Sequence, residues 1–600
     1  MILFALLFRV SAMAASAAPP TSAIPAGSFV ERAVAVPMRD GVRLSADVYL
    51  PSRSGRFPTL IERTPYDRKR LEDREILREA LRRGYAVVLQ DVRGRYDSGG
   101  EFVPYVHEGK DGYDTIEWAA ARPWSDGRVG TFGLSYPGAV QWLAAVESPP
   151  HLKAMAPEMT FSSPRNFFYA GGAWDLSWIA WIWNNIAPDA RARRGLEGPR
   201  TGREARAAWK GLEKDLPFRT PLSAATELRG VAPYYFDWLA HRPTDPYWDW
   251  AELRNRYARV GAAVLNVSGW HDEAYGPEGA ITNFLGLLAA RSREKDPRTE
   301  LVLGPWEHGG LDSDRSGDRV FGPGARMDET ALVLDFLDRY VREKPAGQAP
   351  ARVRAFVMGE NRWISSAAWP LPGTSALSFY LAGGGRLLRE SPAAAAAAAS
   401  SASSTFVSDP AHPVVDPHGA ASGAHDERAL AGRPDTLVFE TEPLARGLRV
   451  LGAIETEIHL SADAPDADLW VKLEDVAPDG TAWNLSSPGT DVLRASERET
   501  GGEPRPLEPG RPVVMRLPNL RTGNYFAPGH RIRVVLCGSF LPHFSRNLQT
   551  GESEASSAAS RKAVLRIHHD PTHPSRVLLP VLEDAAAAAG AGSSGGVSRN

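Results

Sequence analysis

Cysteine is nearly missing from this sequence: Cys537 stands alone among 600 residues. One thiol excludes an intramolecular disulfide and any cysteine-built metal site, so the chemistry is not thiol-pair chemistry. A surplus of either charge is missing too. Lys+Arg number 69 against 72 Asp+Glu, a net charge of -3, which excludes the broad basic footprint of a nucleic-acid-binding surface. Apart from the amino terminus, no apolar run approaches the ~20 residues of a membrane span. Neither nucleic acid nor membrane is therefore expected as a partner. Residues 1–18 are apolar and end in Ala15-Ser16-Ala17, the pattern of a secretory signal, although a basic start is lacking and Arg9 interrupts the run. The expectation is export to the periplasm or medium, and a cytoplasmic protein if that segment is no signal.

What is plentiful is glycine and proline, 55 and 48 residues, in a chain that is 43% hydrophobic and 24% charged. That mixture belongs to a folded chain rich in turns, and the length suggests about two to four domains. From Val30 to Leu50 two strands flank Arg39-Asp40-Gly41, a hairpin signal. Strand Thr59–Glu62 and a helix from about Leu71 to Arg83 follow, with Gly84 as its stop. Tyr85–Gln90 reads as a strand buried on both faces, then come a helix near Asp114–Ala121, strand Val129–Phe132 and a helix from Ser135 through Val146. This alternation predicts a mostly parallel sheet with helical crossovers.

The alternation stops near Phe161. A tryptophan-rich stretch occupies 161–257, and strands resume at Ala263–Val267 and Leu301–Leu303 before a closing helix at Thr330–Tyr340. Segments 28–160 and 258–345 thus form one α/β domain, interrupted by a helical cap insertion that would roof the ligand-binding edge of the sheet. After Pro345 short alternating segments such as Val353–Val357, Leu377–Leu381, Ile454–Leu460 and Ile532–Leu536 predict a jelly-roll β-sandwich over 350–583. Pro392–Ser404 is a low-complexity loop and 585–600 a flexible tail.

Gly133-Leu134-Ser135-Tyr136-Pro137-Gly138 lies between a strand and a helix. A serine on that tight turn is held over the end of the sheet, with the helix amides aimed at the same point. Its hydroxyl needs an oriented base, and in this fold type the order is serine, acid, histidine. Asp272 ends the strand Val264-Leu-Asn-Val-Ser-Gly-Trp-His-Asp272, and His308 ends Leu301-Val-Leu-Gly-Pro-Trp-Glu-His308. Three strand-end residues in the required order predict a triad in which Ser135 attacks, His308 carries the proton and Asp272 orients the imidazole.

Arg63-Thr-Pro-Tyr-Asp67, Asp91-Val-Arg-Gly94, Ser98-Gly-Gly-Glu-Phe102 and Trp124-Ser-Asp-Gly-Arg-Val-Gly130 surround these motifs, joined by Gly269-Trp-His-Asp272 and Gly304-Pro-Trp-Glu-His308. With Leu473-Glu-Asp-Val-Ala-Pro-Asp-Gly480 and Gly529-His-Arg-Ile-Arg533, the chain resembles the CocE/NonD hydrolases over about residues 30 to 583. That family includes cocaine esterase, α-amino-acid ester hydrolases and Xaa-Pro dipeptidyl-peptidases. The resemblance implies an α/β hydrolase fold with a helical cap and a jelly roll, and it matches Ser135, Asp272 and His308 to the triad. It also matches Tyr66 to a tyrosine whose hydroxyl joins the backbone N–H of Tyr136 in the oxyanion hole, where a fixed phenol meets the charge of a tetrahedral intermediate.

Substrate is less sharply marked. Relatives that grip a free α-amino group use a carboxylate cluster, whereas here Glu273 stands alone past the acid, with Asp175 in the cap as a reserve. Phe167, Phe168, Trp174, Trp178 and Trp181 read either as cap core or as walls for a bulky apolar acyl group, and Trp270 beside the acid joins them as a pocket candidate. His568, His569 and His573 read as a strand end and turn, and His412, His418 and His425 as loop residues, so no metal or other cofactor is expected. The reading is a serine hydrolase of small carboxylic esters or amides. Its alternatives are an Xaa-Pro dipeptidyl-peptidase or amino-ester hydrolase, and a non-catalytic binding protein that uses the jelly roll. The oligomeric state is open, a homodimer included.

Overall fold

The computed structural model describes residues 24–273, 276–291, 298–344, 350–392, 402–487, 490–499 and 502–583. The expected signal segment 1–18, the expected tail 585–600 and the alanine run of the low-complexity loop fall outside these. Strands β1 (Phe29–Pro37) and β2 (Arg43–Leu50) form the expected hairpin, closed by Met38 N–H donating to the Val42 carbonyl at 2.8 Å. Strands β3 (Phe57–Thr64), β4 (Ala86–Asp91), β5 (Ser125–Leu134) and β6 (Leu152–Glu158) pair in parallel in the order β4-β3-β5-β6. Strands Ala263–His271 and Thr299–Glu307 continue that sheet, again in parallel. Every residue of β4 is buried, the apolar Ala86–Leu89 and the polar Gln90 and Asp91 at its end alike.

Helices α1 (Glu75–Arg82), α2 (Glu108–Ala120) and α3 (Tyr136–Ala145) supply the crossovers. Gly84, at φ 86°, stops α1 by turning left-handed, which glycine does without steric cost. Helix α3 is buried at all ten positions, because the sheet lies on one side and α2 and the cap on the other. The closing helix Glu329–Tyr340 starts from Asp328, whose carboxylate accepts the Ala331 N–H at 2.9 Å.

One boundary differs from expectation. Val353–Val357 pairs in parallel with Thr299–Glu307, and Arg362–Ser366 pairs back on it, so the first sheet has ten strands and both segments belong to it. An alternating pattern marks a strand but not its partner. The all-β domain proper begins at Thr374–Ala382 and builds a twelve-stranded, largely antiparallel sheet with its own core. The low-complexity loop also gives way earlier than expected, to strand Ser403–Ser408.

The insertion is helical but broken into short pieces. Its main rod runs through Ser177–Trp181, a π-helical turn at Ile182–Ile186 and Ala187–Arg194. The cap is clamped to the all-β domain through Leu176 N–H to the His543 carbonyl at 3.0 Å and Ser545 N–H to the Trp174 carbonyl at 2.7 Å. Among the described residues no helix is long and apolar enough to cross a membrane.

Candidate active site

Ser135 occupies the turn between β5 and α3 with φ 71° and ψ -126°, a conformation that side chains rarely adopt. The turn is held from below. Ser135 N–H donates to the Glu158 carbonyl at 2.9 Å, and the Gln141 amide donates to the Gly133 and Pro137 carbonyls, each at 3.0 Å. The two motif glycines are required by space. A Cβ at Gly133 would sit 2.6 Å from the Pro137 Cβ, and one at Gly138 would sit 2.7 Å from the Glu158 carbonyl oxygen. Proline in place of the motif's usual last glycine is thus tolerated because Gly138 makes the close approach.

Asp272 and His308 arrive from the neighbouring strands. Their ends interlock, since a Cβ at Gly269 would lie 2.1 Å from the Trp306 carbonyl oxygen, which accounts for the glycine ahead of Trp270. Asp272 is fully buried and its Oδ1 lies 2.7 Å from His308 Nδ1, while Oδ2 accepts the Ser268 hydroxyl at 3.2 Å. Burial pulls the imidazole pKa down, but the Asp272 carboxylate outweighs it and the net shift is upward. An imidazole raised in this way is suited to taking a proton, the role the sequence expectation gives His308.

Glu273 comes to the same place. The His308 amide donates to its Oε2 at 3.4 Å, and burial pushes its carboxyl up to about 7 against the pull of His308.

Tyr66 faces the nucleophile. Its hydroxyl is in hydrogen-bond contact with Ser135 and accepts the Trp181 indole N–H at 2.9 Å. Burial pushes this phenol up to about 12, so it stays a hydrogen-bond donor at neutral pH. Tyr136 is the first residue of α3, directly after Ser135, and its hydroxyl is spent on Glu108 Oε1 at 2.9 Å and the Tyr105 N–H at 2.9 Å.

Arg95 ties this region to the cap: its guanidinium donates to the Pro65, Asn185 and Ile186 carbonyls, each at 2.9 Å. Sequence reasoning singled out neither Arg95 nor Gln141. A lone polar residue inside the apolar helix Ala-Val-Gln-Trp-Leu-Ala-Ala was the available signal for Gln141.

The aromatic candidates separate. Trp181, half-buried, touches Tyr66 and stacks over Tyr136 with centroids 6.3 Å apart. Phe167 and Trp178 lie just behind, in edge contact at 4.5 Å, with Trp178 also 5.2 Å from Trp181. Phe168 and Trp174 pack further into the cap core: Phe168 lies 4.6 Å from Trp178 and 4.4 Å from Trp238, and Trp174 lies 6.4 Å from Trp238. Trp270 is also elsewhere, donating to the Phe356 carbonyl at 2.7 Å and packing toward Trp369. Asp175 is a joint between the cap and the all-β domain, bridged to Phe544 and accepting the Ser177 N–H at 2.8 Å, and offers the site no second carboxylate.

The all-β domain reaches the same edge. Glu307, next to His308, accepts the Ser422 hydroxyl at 2.9 Å, and His271, next to Asp272, lies 3.4 Å from the Ser487 hydroxyl.

Fold and site together define a serine hydrolase of the α/β type with an attached all-β domain. The family model described as X-Pro dipeptidyl-peptidase (S15 family) matches residues 40–310, and the model of the X-Pro dipeptidyl-peptidase C-terminal non-catalytic domain matches 346–578. The chain is 34% identical over 582 residues to cocaine esterase from Rhodococcus sp. (strain MB1 Bresler), covering 92% of this chain and 98% of that protein. Among solved structures it is similar to an α-amino acid ester hydrolase (25% identity, TM-score 0.78, 96% and 99% of the two chains). It is equally similar to an aminopeptidase from a marine sediment Thaumarchaeota archaeon (25% identity, TM-score 0.79, 95% and 98%). The chain belongs to the CocE/NonD family of hydrolases.

Proposed function

We propose that this protein hydrolyses small carboxylic esters through an acyl-enzyme on Ser135. The observation that carries the reading is a strained serine beside a protonated phenol, on the same sheet as a hydrogen-bonded Asp–His couple that ends two further parallel strands. Ser135 Oγ attacks the ester carbonyl and gives its proton to His308, which passes it to the departing alcohol. Water then repeats the attack on the acyl-serine, with His308 again taking and returning the proton. Tyr66 and the Tyr136 N–H donate to the carbonyl oxygen as it becomes an oxyanion. Trp181, with Phe167 and Trp178 behind it, suits an apolar acyl or aromatic group. The likeness to cocaine esterase and to an α-amino acid ester hydrolase supports an ester substrate.

The family model favours a second reading, removal of dipeptides from free amino termini. A buried ammonium needs paired, well-placed carboxylates, and Glu273 alone, half protonated near pH 7, serves poorly. Hydrolysis of p-nitrophenyl butyrate beside Gly-Pro-p-nitroanilide, by the wild type and Ser135→Ala, separates the readings. Ester turnover abolished by the mutation, with the anilide untouched, is expected. Anilide preference refutes the ester reading, and silence on both substrates refutes hydrolysis. We further propose export directed by residues 1–18, which cell fractionation of the full-length protein tests.

A further inference from the structure

The all-β domain carries a histidine cluster that hydrolysis does not use. His459 on strand Leu448–Ala462 and His568 on strand Ala563–His568 are direct partners in the antiparallel ladder. Such a pair holds its Cβ atoms about 4.5–5.5 Å apart on one face. The chain then turns through Asp570, whose Oδ1 accepts the Thr572 N–H at 2.8 Å and the His573 N–H at 3.0 Å. That turn folds His573 back, with its ring centroid 5.4 Å from both His459 and His568. One ligand atom from each of His568, Asp570 and His573 lies within 4.8 Å of the others. His459 Nε2 is buried without a hydrogen-bond partner, the Glu457 carboxylate being 3.9 Å away; a buried ring nitrogen left unpaired is costly unless something else satisfies it.

We propose that His568, Asp570 and His573, beside the buried His459 ring, bind a divalent transition-metal ion of the zinc class. Imidazole and carboxylate are the ligands such ions take when no cysteine is offered, at about 2.0–2.2 Å from the metal. Two ligands of a tetrahedral ion at those lengths stand about 3.3 Å apart, and His573 Nδ1 lies 3.1 Å from Asp570 Oδ2. The ion takes the place of the proton shared by that pair. The Ser461 hydroxyl bonds His568 Nε2 at 2.8 Å, which fixes the ring and leaves Nδ1 for the metal. His568, Asp570 and His573 are each partly exposed, which gives the ion a way in.

The other histidine cluster, Asp318, His418 and His425, lacks these features. His425 already uses both ring nitrogens, on Asp318 Oδ2 and the Ser422 carbonyl, each at 2.8 Å. A bound ion would tie the Asp570–His573 turn to the end of strand Ala563–His568 and stiffen that edge of the all-β domain.

Full-length protein, stripped with a chelator and dialysed, is titrated with Co2+ followed by visible absorption, and with Zn2+ by calorimetry. One ion per chain, the absorption bands of a nitrogen–oxygen Co2+ site and a raised melting temperature are expected. Affinity falls roughly tenfold or more in Asp570→Asn and in His568→Ala/His573→Ala, and is unchanged in His418→Ala. Ester hydrolysis, measured alongside, reports that each variant is folded, and His573→Gln replaces the double variant if the latter fails that check. Absence of saturable binding overturns the proposal, as does binding undiminished in the variants of this cluster or lost in His418→Ala.

Discussion

Replacing Tyr66 with phenylalanine removes one hydroxyl and leaves the ring in place. Two partners lose it: Ser135, in contact with the phenol, and Trp181, whose indole N–H it accepts at 2.9 Å. Loss of a single oxyanion-hole donor lowers kcat by about 10²–10³, or about 2.7–4 kcal/mol of transition-state stabilisation. Loss of the Trp181 partner acts on stability instead, by about 1 kcal/mol, because Trp181 is only half-buried and water can reach it. The two effects separate experimentally: kcat and KM from a p-nitrophenyl ester series, and the urea midpoint of the same preparation. The expected result is a kcat at least a hundredfold lower with KM within a factor of about three, the signature of an interaction made in the transition state alone. Since burial holds the phenol near 12, the defect is constant from pH 6 to 9. A kcat within threefold of wild type refutes the oxyanion role, and a defect confined to KM turns Tyr66 into a binding residue.

Glu273→Gln removes a negative neighbour of His308, so the imidazole pKa falls and the acid limb of kcat/KM moves to lower pH; an unmoved limb refutes the coupling. The same carboxyl is held protonated up to about 7 by the fold, above its ordinary ~4.3. Its contribution to stability is therefore present at low pH and is lost as pH rises through that window, and the glutamine variant flattens this decline in urea midpoints taken at pH 5 and 8. Gly138→Ala forces a Cβ to 2.7 Å from the Glu158 carbonyl that receives Ser135 N–H, so a loss of about 1–3 kcal/mol in denaturant unfolding and of most ester turnover is expected. Ser422→Ala deletes the hydroxyl on Glu307, and about 1 kcal/mol of support for the His308 loop should appear as a severalfold lower kcat, checked on the same esters.

Local chemistry in the sequence was enough to find the hairpin, the crossover helices and the serine turn, because a glycine stop or a strand-turn-helix pattern is written in neighbouring residues. The meeting of Asp272 with His308 was legible for the same reason: each follows an apolar strand, and parallel strands bring their carboxyl ends to one edge. Partnership was not legible. Val353–Val357 alternates like a jelly-roll strand yet pairs in parallel with Thr299–Glu307, and nothing in its five residues states which sheet it joins. Trp270 lies two residues before the candidate acid but faces Phe356 and Trp369, because the strand ends at His271 and the alternation that would put 270 and 272 on one face does not extend past it. Arg95 and Gln141 earn their places through carbonyl groups that only the folded chain assembles around them.

The contacts of Ser422 with Glu307 and of Ser487 with His271 bear on how such proteins can be recombined. Each lands on the residue immediately before one member of the Asp–His couple, so the carboxyl-terminal half is a working part of the catalytic edge and no detachable appendage. A chimera that joins this hydrolase domain to a relative's all-β domain inherits someone else's grip on its own acid and base. Among the described residues no hydrogen bond runs from the cap to Glu307 or His271, which makes the cap the place where new substrate ranges can be tried with the Asp–His couple left as it is.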